Sequence, residues 1–295
     1  MKILLPLLFV GISCLASCQE NSSVVPTKSS WEDVKKTWSG SAEISSYDLV
    51  QVRYGVERKG SAILVYVREP FLRDRQVKDE SGRGNFEVLK LNSIKEFKTG
   101  AYPYHTMTSV FLPLENKAGT KALKVTTSVQ EWCGHTYMHT SRKDGSVQTK
   151  LNSYFENEEG EVFKTKASVL LEDEVWTMLR TQPDQLPTGN VEMLVGNLTA
   201  RFSHKKLKVS QAKAEWKKGS DKTSIYHIQY QDTGSSLAIE ISSKLPYEIQ
   251  GWKETDRSGN LISSGKLKKR VSNVPYWNFS DEKSGAKLRK QLGLK

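Results

Sequence analysis

The densest run of reactive side chains in the sequence is Glu131-Trp-Cys-Gly-His-Thr-Tyr-Met-His139. In a regular strand, alternate side chains share a face, so this spacing predicts Cys133, His135, Tyr137 and His139 in one row. Neighbours in such a row stand ~7 Å apart and its outer pair ~20 Å apart. That span excludes one metal held by Cys133, His135 and His139 unless the strand bulges at Gly134. A thiolate–imidazolium pair between Cys133 and His135 is within reach, and it would lower the thiol pKa and make a nucleophile. No third orienting residue or oxyanion device accompanies it. The other reading of the row is a structural or ligand-lining strand, with Trp132, Tyr137 and His139 facing the ligand. Tyr102-Pro-Tyr-His-Thr-Met107 is a second cluster. Tyr102 and Tyr104 flank a proline and suit either a groove for an acyl chain, sugar or peptide, or packing at a strand end. Val274-Pro-Tyr-Trp-Asn-Phe279 is expected to seal the end of a sheet. His204 and His227 stand isolated.

Other chemistries are excluded by spacing. Glu156-Asn-Glu-Glu-Gly-Glu161 lacks the ligand pattern of an EF-hand and reads as a solvated hairpin tip around Gly160. Ser81-Gly-Arg-Gly84 has neither a following Lys-Ser/Thr nor a phosphate-binding helix, so it is not a P-loop. No Gly-x-Ser-x-Gly or His-Glu-x-x-His occurs. No metal site and no cofactor are expected.

The amino terminus carries an address. Lys2 precedes an apolar run from Ile3 to Ile12, broken by Pro6 and Gly11, and Leu15-Ala-Ser-Cys18 follows. This resembles the bacterial lipobox, in which small residues fit the peptidase and the thiol is diacylated. Residues 1–17 are therefore expected to be a signal peptide. Cys18 is the expected lipidation site, and 18–30, rich in Ser, Val, Pro, Thr and Lys, a flexible tether. The apolar run is too short to span a bilayer, which takes ~20 residues, so the predicted membrane attachment is the acyl anchor alone. Gln19, where enterobacterial inner-membrane retention favours Asp, points to a periplasm-facing protein on the outer membrane, with surface export as the alternative. Cys14 leaves with the signal and Cys18 carries lipid, so Cys133 remains without a disulfide partner. The net charge of +11 is spread over Lys205-Lys206, Lys217-Lys218, Lys266 to Arg270 and Lys287 to Lys295. Outside the cytoplasm this suits anionic lipid head groups or a solvated surface, and no nucleic-acid partner is expected.

The elements that must position these residues are mostly strands. Ser30 is placed to cap a short helix over Trp31 to Trp38. Alternation then marks Tyr47 to Tyr54, with Tyr47, Leu49 and Gln51 on one side. It also marks Ser61 to Val67, Phe86 to Leu91, Leu123 to Val129, Val162 to Leu171, Ile225 to Tyr230, Leu237 to Ile241 and Glu248 to Lys253. Ser258-Gly-Asn260 supplies a tight turn before Leu261 to Leu267. Glu172 to Arg180 breaks the pattern: Val175, Met178 and Leu179 fall at helical spacing, acids open it and Pro183 ends it. The expected fold is mainly β, a curved antiparallel sheet or half-barrel with one mid-chain helix. Residues 31–295 form one domain in this reading; two β lobes joined near 183–190 are the alternative.

Two resemblances add expectations. The lipobox, Tyr102-Pro-Tyr104, the Glu131 to His135 strand and the Tyr154-Phe155 to Trp176 region together resemble a family of Bacteroidetes lipoproteins without assigned activity. Some of its members are called septum formation inhibitor Maf, although the Ser-x-Ser-Pro-Arg-Arg start of the Maf pyrophosphatases does not occur here. The closing meander looks like those of LolA/LolB-type lipoprotein carriers, whose curved sheets have an apolar concave side closed by helices. The β-rich pattern, the anchor and the aromatic clusters lead to the expectation of a non-catalytic protein that binds or shuttles an amphiphile, an acyl chain or glycolipid. A Cys133–His135 enzyme and a structural envelope protein with protein partners are the alternatives.

Overall fold

Alternating burial organises the whole molecule: along Thr223–Tyr230 every second side chain is buried, as period-two strands with one covered face require. The computed structural model describes residues 25–82, 84, 86–220 and 222–294. The expected signal peptide and Cys18 lie outside the described residues. A short helix α1 (Trp31–Thr37), capped by the Ser30 hydroxyl as its sequence predicts, precedes the sheet. The first run of strands is β1 (Ala42–Arg53), β2 (Val56–Leu72), β3 (Val77–Lys78), β4 (Glu87–Thr99), β5 (Tyr102–Pro113), β6 (Lys124–Glu131), β7 (Gly134–Lys143), β8 (Ser146–Ser153) and β9 (Val162–Lys166). Then come β10 (Leu170–Leu171), helix α2 (Glu172–Thr181), β11 (Gly189–Leu194), helix α3 (Asn197–Ser203) and β12 (Val209–Lys218). The meander β13 (Thr223–Tyr230), β14 (Ser236–Ser242), β15 (Ile249–Thr255) and β16 (Leu261–Val274) follows, and α4 (Glu282–Gln291) closes the chain.

The strands form one large, curved open sheet, mainly antiparallel, of half-barrel form. β1 pairs with β16 on one side and β2 on the other, so the first and last long strands meet in the middle of the sheet. The two ends of the strand order are β9 and β10, which are consecutive in the chain and joined by three residues. The sheet edges are thus drawn together at that point without pairing. We call the gap between β9 and the β11–β12 side the seam; Lys166 of β9 and Glu192 of β11 form an ion pair across it.

The concave face holds the main core, with Tyr47, Leu49, Leu64, Leu91, Tyr226 and Ile239 buried in it. Helix α2 lies inside this face with eight of its ten residues buried, which makes it a plug and not a surface helix. Its polar residues are held by specific partners. Arg142 donates to Glu174 at 2.9 and 3.2 Å, and the Ala122 and Leu171 N–H groups also reach that carboxylate. At the other end of α2, Arg180 pairs with Glu43 at 2.8 Å and lies over the rings of Tyr66 and Trp38. The convex side carries a smaller core, where Leu288 and Leu292 of the C-terminal segment cover Ile44, Val65 and Val67. This second cover explains why β1 begins with six consecutive buried residues and shows no alternation there. Tyr276 and Phe279 pack on that cluster, as a sealing segment should, whereas Trp277 is exposed.

Register places the β1–β2, β4–β5 and β6–β7 turns at one end of the sheet. Tyr54 and Gly55 turn the first of these with φ of 55° and 71°, as a two-residue primed turn demands. Residues after β11 and before β12 fold over the concave side at this same end, and α3 is built from them. The N-terminal segment joins at the opposite end: Thr27 N–H donates to Ser243 O, and Tyr247 OH donates to Thr27 O.

Candidate functional site

Helix α3 stands over the concave face, and three cavities surround it. The first, the inner cavity, encloses about 310 Å³ between β1, β4, β5, the start of α2 and α3. The second, the seam cleft, encloses about 640 Å³ where β8 and β9 face the residues after α3. The third, the tip pocket, has about 170 Å³ and lies under the β1–β2 and β6–β7 turns. Arg53, Tyr54 and Phe202 border both the inner cavity and the tip pocket. Phe155, Arg201 and His204 border both the tip pocket and the seam cleft. The three spaces adjoin one another around α3 and share these bordering residues.

The polar groups at its bend form a directed network. His204 is the left-handed residue that ends α3, with φ of 50°. Its Nδ1 lies 2.6 Å from Glu158 Oε1 and its Nε2 lies 3.4 Å from Arg53 Nη2. A guanidinium can only donate, so Nε2 accepts, and the proton on Nδ1 goes to Glu158; this tautomer is assigned from the network. Arg201 Nη1, 2.9 Å from that nitrogen, then cannot bond to it and donates to Glu158 at 3.3 Å. Arg201 Nε donates to Thr136 Oγ1 at 3.1 Å. Burial lowers the Arg201 pKa, with Glu158 opposing and Arg53 adding to the effect.

The inner cavity has a different character. Glu172 and Asp173 open α2 and border it, together with Lys95 and Glu254. Burial pushes the Glu172 carboxyl up to about 8, and Glu254 adds to the rise. Tyr230 OH donates to Glu172 at 2.6 Å. Burial raises Asp173 to about 6, against the hydrogen bond that it accepts from Asn197 N at 2.9 Å. Lys95 Nζ lies 3.8 Å from Glu254 and 3.4 Å from Ser263 Oγ. Among the described residues no group of His, Cys, Asp and Glu is arranged to hold a metal.

The structure divides the residues singled out by spacing. Cys133 is not in a row with His135, Tyr137 and His139: Glu131 pairs with Gly134, so Trp132 and Cys133 are the turn between β6 and β7. A two-residue turn closes there because β6 and β7 pair along their whole lengths, a long-range register that the run itself does not encode. His135, Tyr137 and His139 alternate with buried Thr136, Met138 and Thr140 and stand on the opposite side of β7. Thr136 and Met138 are the ones that line cavities. Cys133 is exposed and borders the tip pocket, but the Glu131 carboxylate beside it raises the thiol pKa, the reverse of nucleophile activation. The Cys133 N–H donates to the same carboxylate at 2.7 Å. Tyr104 is buried, stacked on Phe97 at 4.9 Å, and borders the tip pocket. Tyr102 stacks on Trp132 at 6.1 Å, and Trp132 is 73 % exposed at its turn.

Sequence reasoning missed the centre of the site. His204 had no neighbour in sequence to mark it, and Glu158 was placed in a solvated tip although it bonds both Arg201 and His204. Arg53, at the end of an alternating strand, carried no signal beyond its charge. The acids at the start of α2 were legible as helix-favouring residues but not as buried carboxylates. No family model, curated protein or solved structure matches this chain.

Proposed function

We propose that this protein is a lipid-anchored envelope component that binds an amphiphile and performs no chemistry on it. The observation that carries the reading is the make-up of the seam cleft. Its volume of about 640 Å³ falls within the ~300–1,000 Å³ of ligand sites. Met138, Leu151, Phe155, Phe163 and Leu207 supply apolar walls, and Lys205 and Lys206 supply positive charge at its edge. An acyl chain seated against such walls gains about 0.8 kcal/mol per buried methylene, so eight methylenes contribute about 6 kcal/mol before the costs of association. Position in the fold supports the same reading, because the cleft lies in the seam, where no strand pairing closes the sheet. Leu15-Ala-Ser-Cys18 supports the anchor and, with Gln19, an outer-membrane address.

Native mass spectrometry of the full chain, followed by organic extraction, tests the proposal. A bound lipid of defined mass is the expected result. An empty chain that also takes up no apolar probe would overturn it.

A further inference from the structure

Arg53 presents an imbalance that the fold alone does not resolve. It is 9 % exposed, and among the described residues no carboxylate lies within ion-pair distance of it. Every hydrogen-bond partner of its guanidinium is neutral: Tyr104 OH at 3.5 Å, Phe202 O at 2.7 Å and His204 Nε2 at 3.4 Å. Three rings surround the charge, those of Tyr54, Phe202 and Tyr104 at 4.6, 4.8 and 5.6 Å. Aromatic faces favour a cation by ~0.5–2 kcal/mol each, which together offsets part of the several kcal/mol that removing an ion from water costs but supplies no counter-charge. Arg201, 6 % exposed, borders the same 170 Å³ pocket. Glu158 serves Arg201 and His204 together, and Glu131, which borders the same pocket with one oxygen on the Cys133 N–H, makes no ion pair with either arginine. Two buried guanidinium groups therefore border one pocket, and Glu158 is the carboxylate in ion-pair contact with either among the described residues. A planar fork of donors matches a carboxylate or phosphate.

We propose that Arg53 and Arg201 make the tip pocket an anion site, and that the amphiphile enters it by a carboxylate or phosphate head while its chain runs into the seam cleft. The inference rests on the amphiphile reading given above and names the class of head group. Adjacency supports it, because Phe155, Arg201 and His204 border both spaces, which places a head in one beside a chain in the other.

The test is calorimetric titration of the full, unacylated chain at pH 7.5 with dodecanoate, dodecyl phosphate, dodecanol and inorganic phosphate. Both alkyl anions are expected to bind at least tenfold more tightly than dodecanol, and inorganic phosphate far more weakly than either. Arg53→Gln is expected to reduce the preference for the anions to below threefold, and Arg53→Lys, which keeps the charge without the fork, to fall between R53Q and the wild type. Equal binding of dodecanoate and dodecanol by the wild type would overturn the anion site while leaving the amphiphile reading intact. So would an R53Q variant that keeps the preference. Inorganic phosphate binding as tightly as the alkyl anions would overturn the link to a chain. If no alkyl ligand binds, both readings fall. Should R53Q not fold, the wild-type comparison and R53K still decide.

Discussion

Burial gives single residues here properties that their types do not. Glu172 is an ordinary helix-opening acid in sequence, yet it sits beside Tyr230 and Glu254 with its carboxyl raised to about 8. A carboxyl whose folded pKa exceeds its unfolded value near 4.5 binds its proton more tightly when folded. Its contribution to stability is full below about 4.5 and is lost as pH rises through about 8. Asp173, raised to about 6, acts in the same direction over a lower window. Replacing Glu172 by Gln keeps an acceptor for Tyr230 and removes the titration. We expect E172Q and the wild type to melt alike at pH 5 and the variant to be more stable at pH 8.5, by roughly 4 kcal/mol at 1.36 kcal/mol per pKa unit. Thermal melts across that range check it; parallel curves would show that Glu172 is ionised in the fold throughout. Cys133 shows the converse, since exposure alone does not make a thiol reactive when a carboxylate lies beside it.

Among the elements, α2 supplies one wall of the inner cavity. It was legible from Val175, Met178 and Leu179, all of which are buried as their spacing implies. Its orientation was not, because it depends on partners far away in sequence, Arg142 on β7 for Glu174 and Glu43 on β1 for Arg180. Arg142 also donates to Ala122 O at 2.9 Å and to Val169 O at 3.1 Å, so it ties β7, the β5–β6 connection and the β10 edge to the helix start. Arg142→Ala leaves Glu174 buried beside a lost counter-charge, and breaking such a pair costs ~3–5 kcal/mol. Chemical denaturation of the variant should show a loss of that size. A change below about 1 kcal/mol would mean that Lys121, 4.0 Å from the same carboxylate, replaces Arg142.

At the scale of the whole molecule, the sheet brings its first and last long strands together at its middle and leaves its two edges facing each other across the seam. That arrangement creates the seam cleft, so altering its wall should affect binding and spare the fold. Leu151 is half-buried and borders the cleft. We expect Leu151→Asp to abolish lipid retention in native mass spectra while shifting the melting temperature by no more than a few degrees; a variant that retains lipid would place the chain elsewhere. The tether joins the fold at the end away from the tips, about 40 Å along a twelve-residue strand such as β1. The strands around Tyr47, Ser61, Phe86, Leu123, Ile225, Leu237, Glu248 and Leu261, the capped helix α1, the mid-chain helix α2 and the mainly β class were legible in the sequence itself, because hydrophobic period and turn chemistry are local. β5, β8, β11 and β12 were not, and Val162 to Leu171, expected as one strand, is β9 and β10 with a turn between. The Cys133 turn, the convex core under α4, the seam and the Arg53–His204–Glu158–Arg201 network were decided only by tertiary structure. Each depends on which distant strands pair and in what register, and a strand's own alternation is equally compatible with many partners.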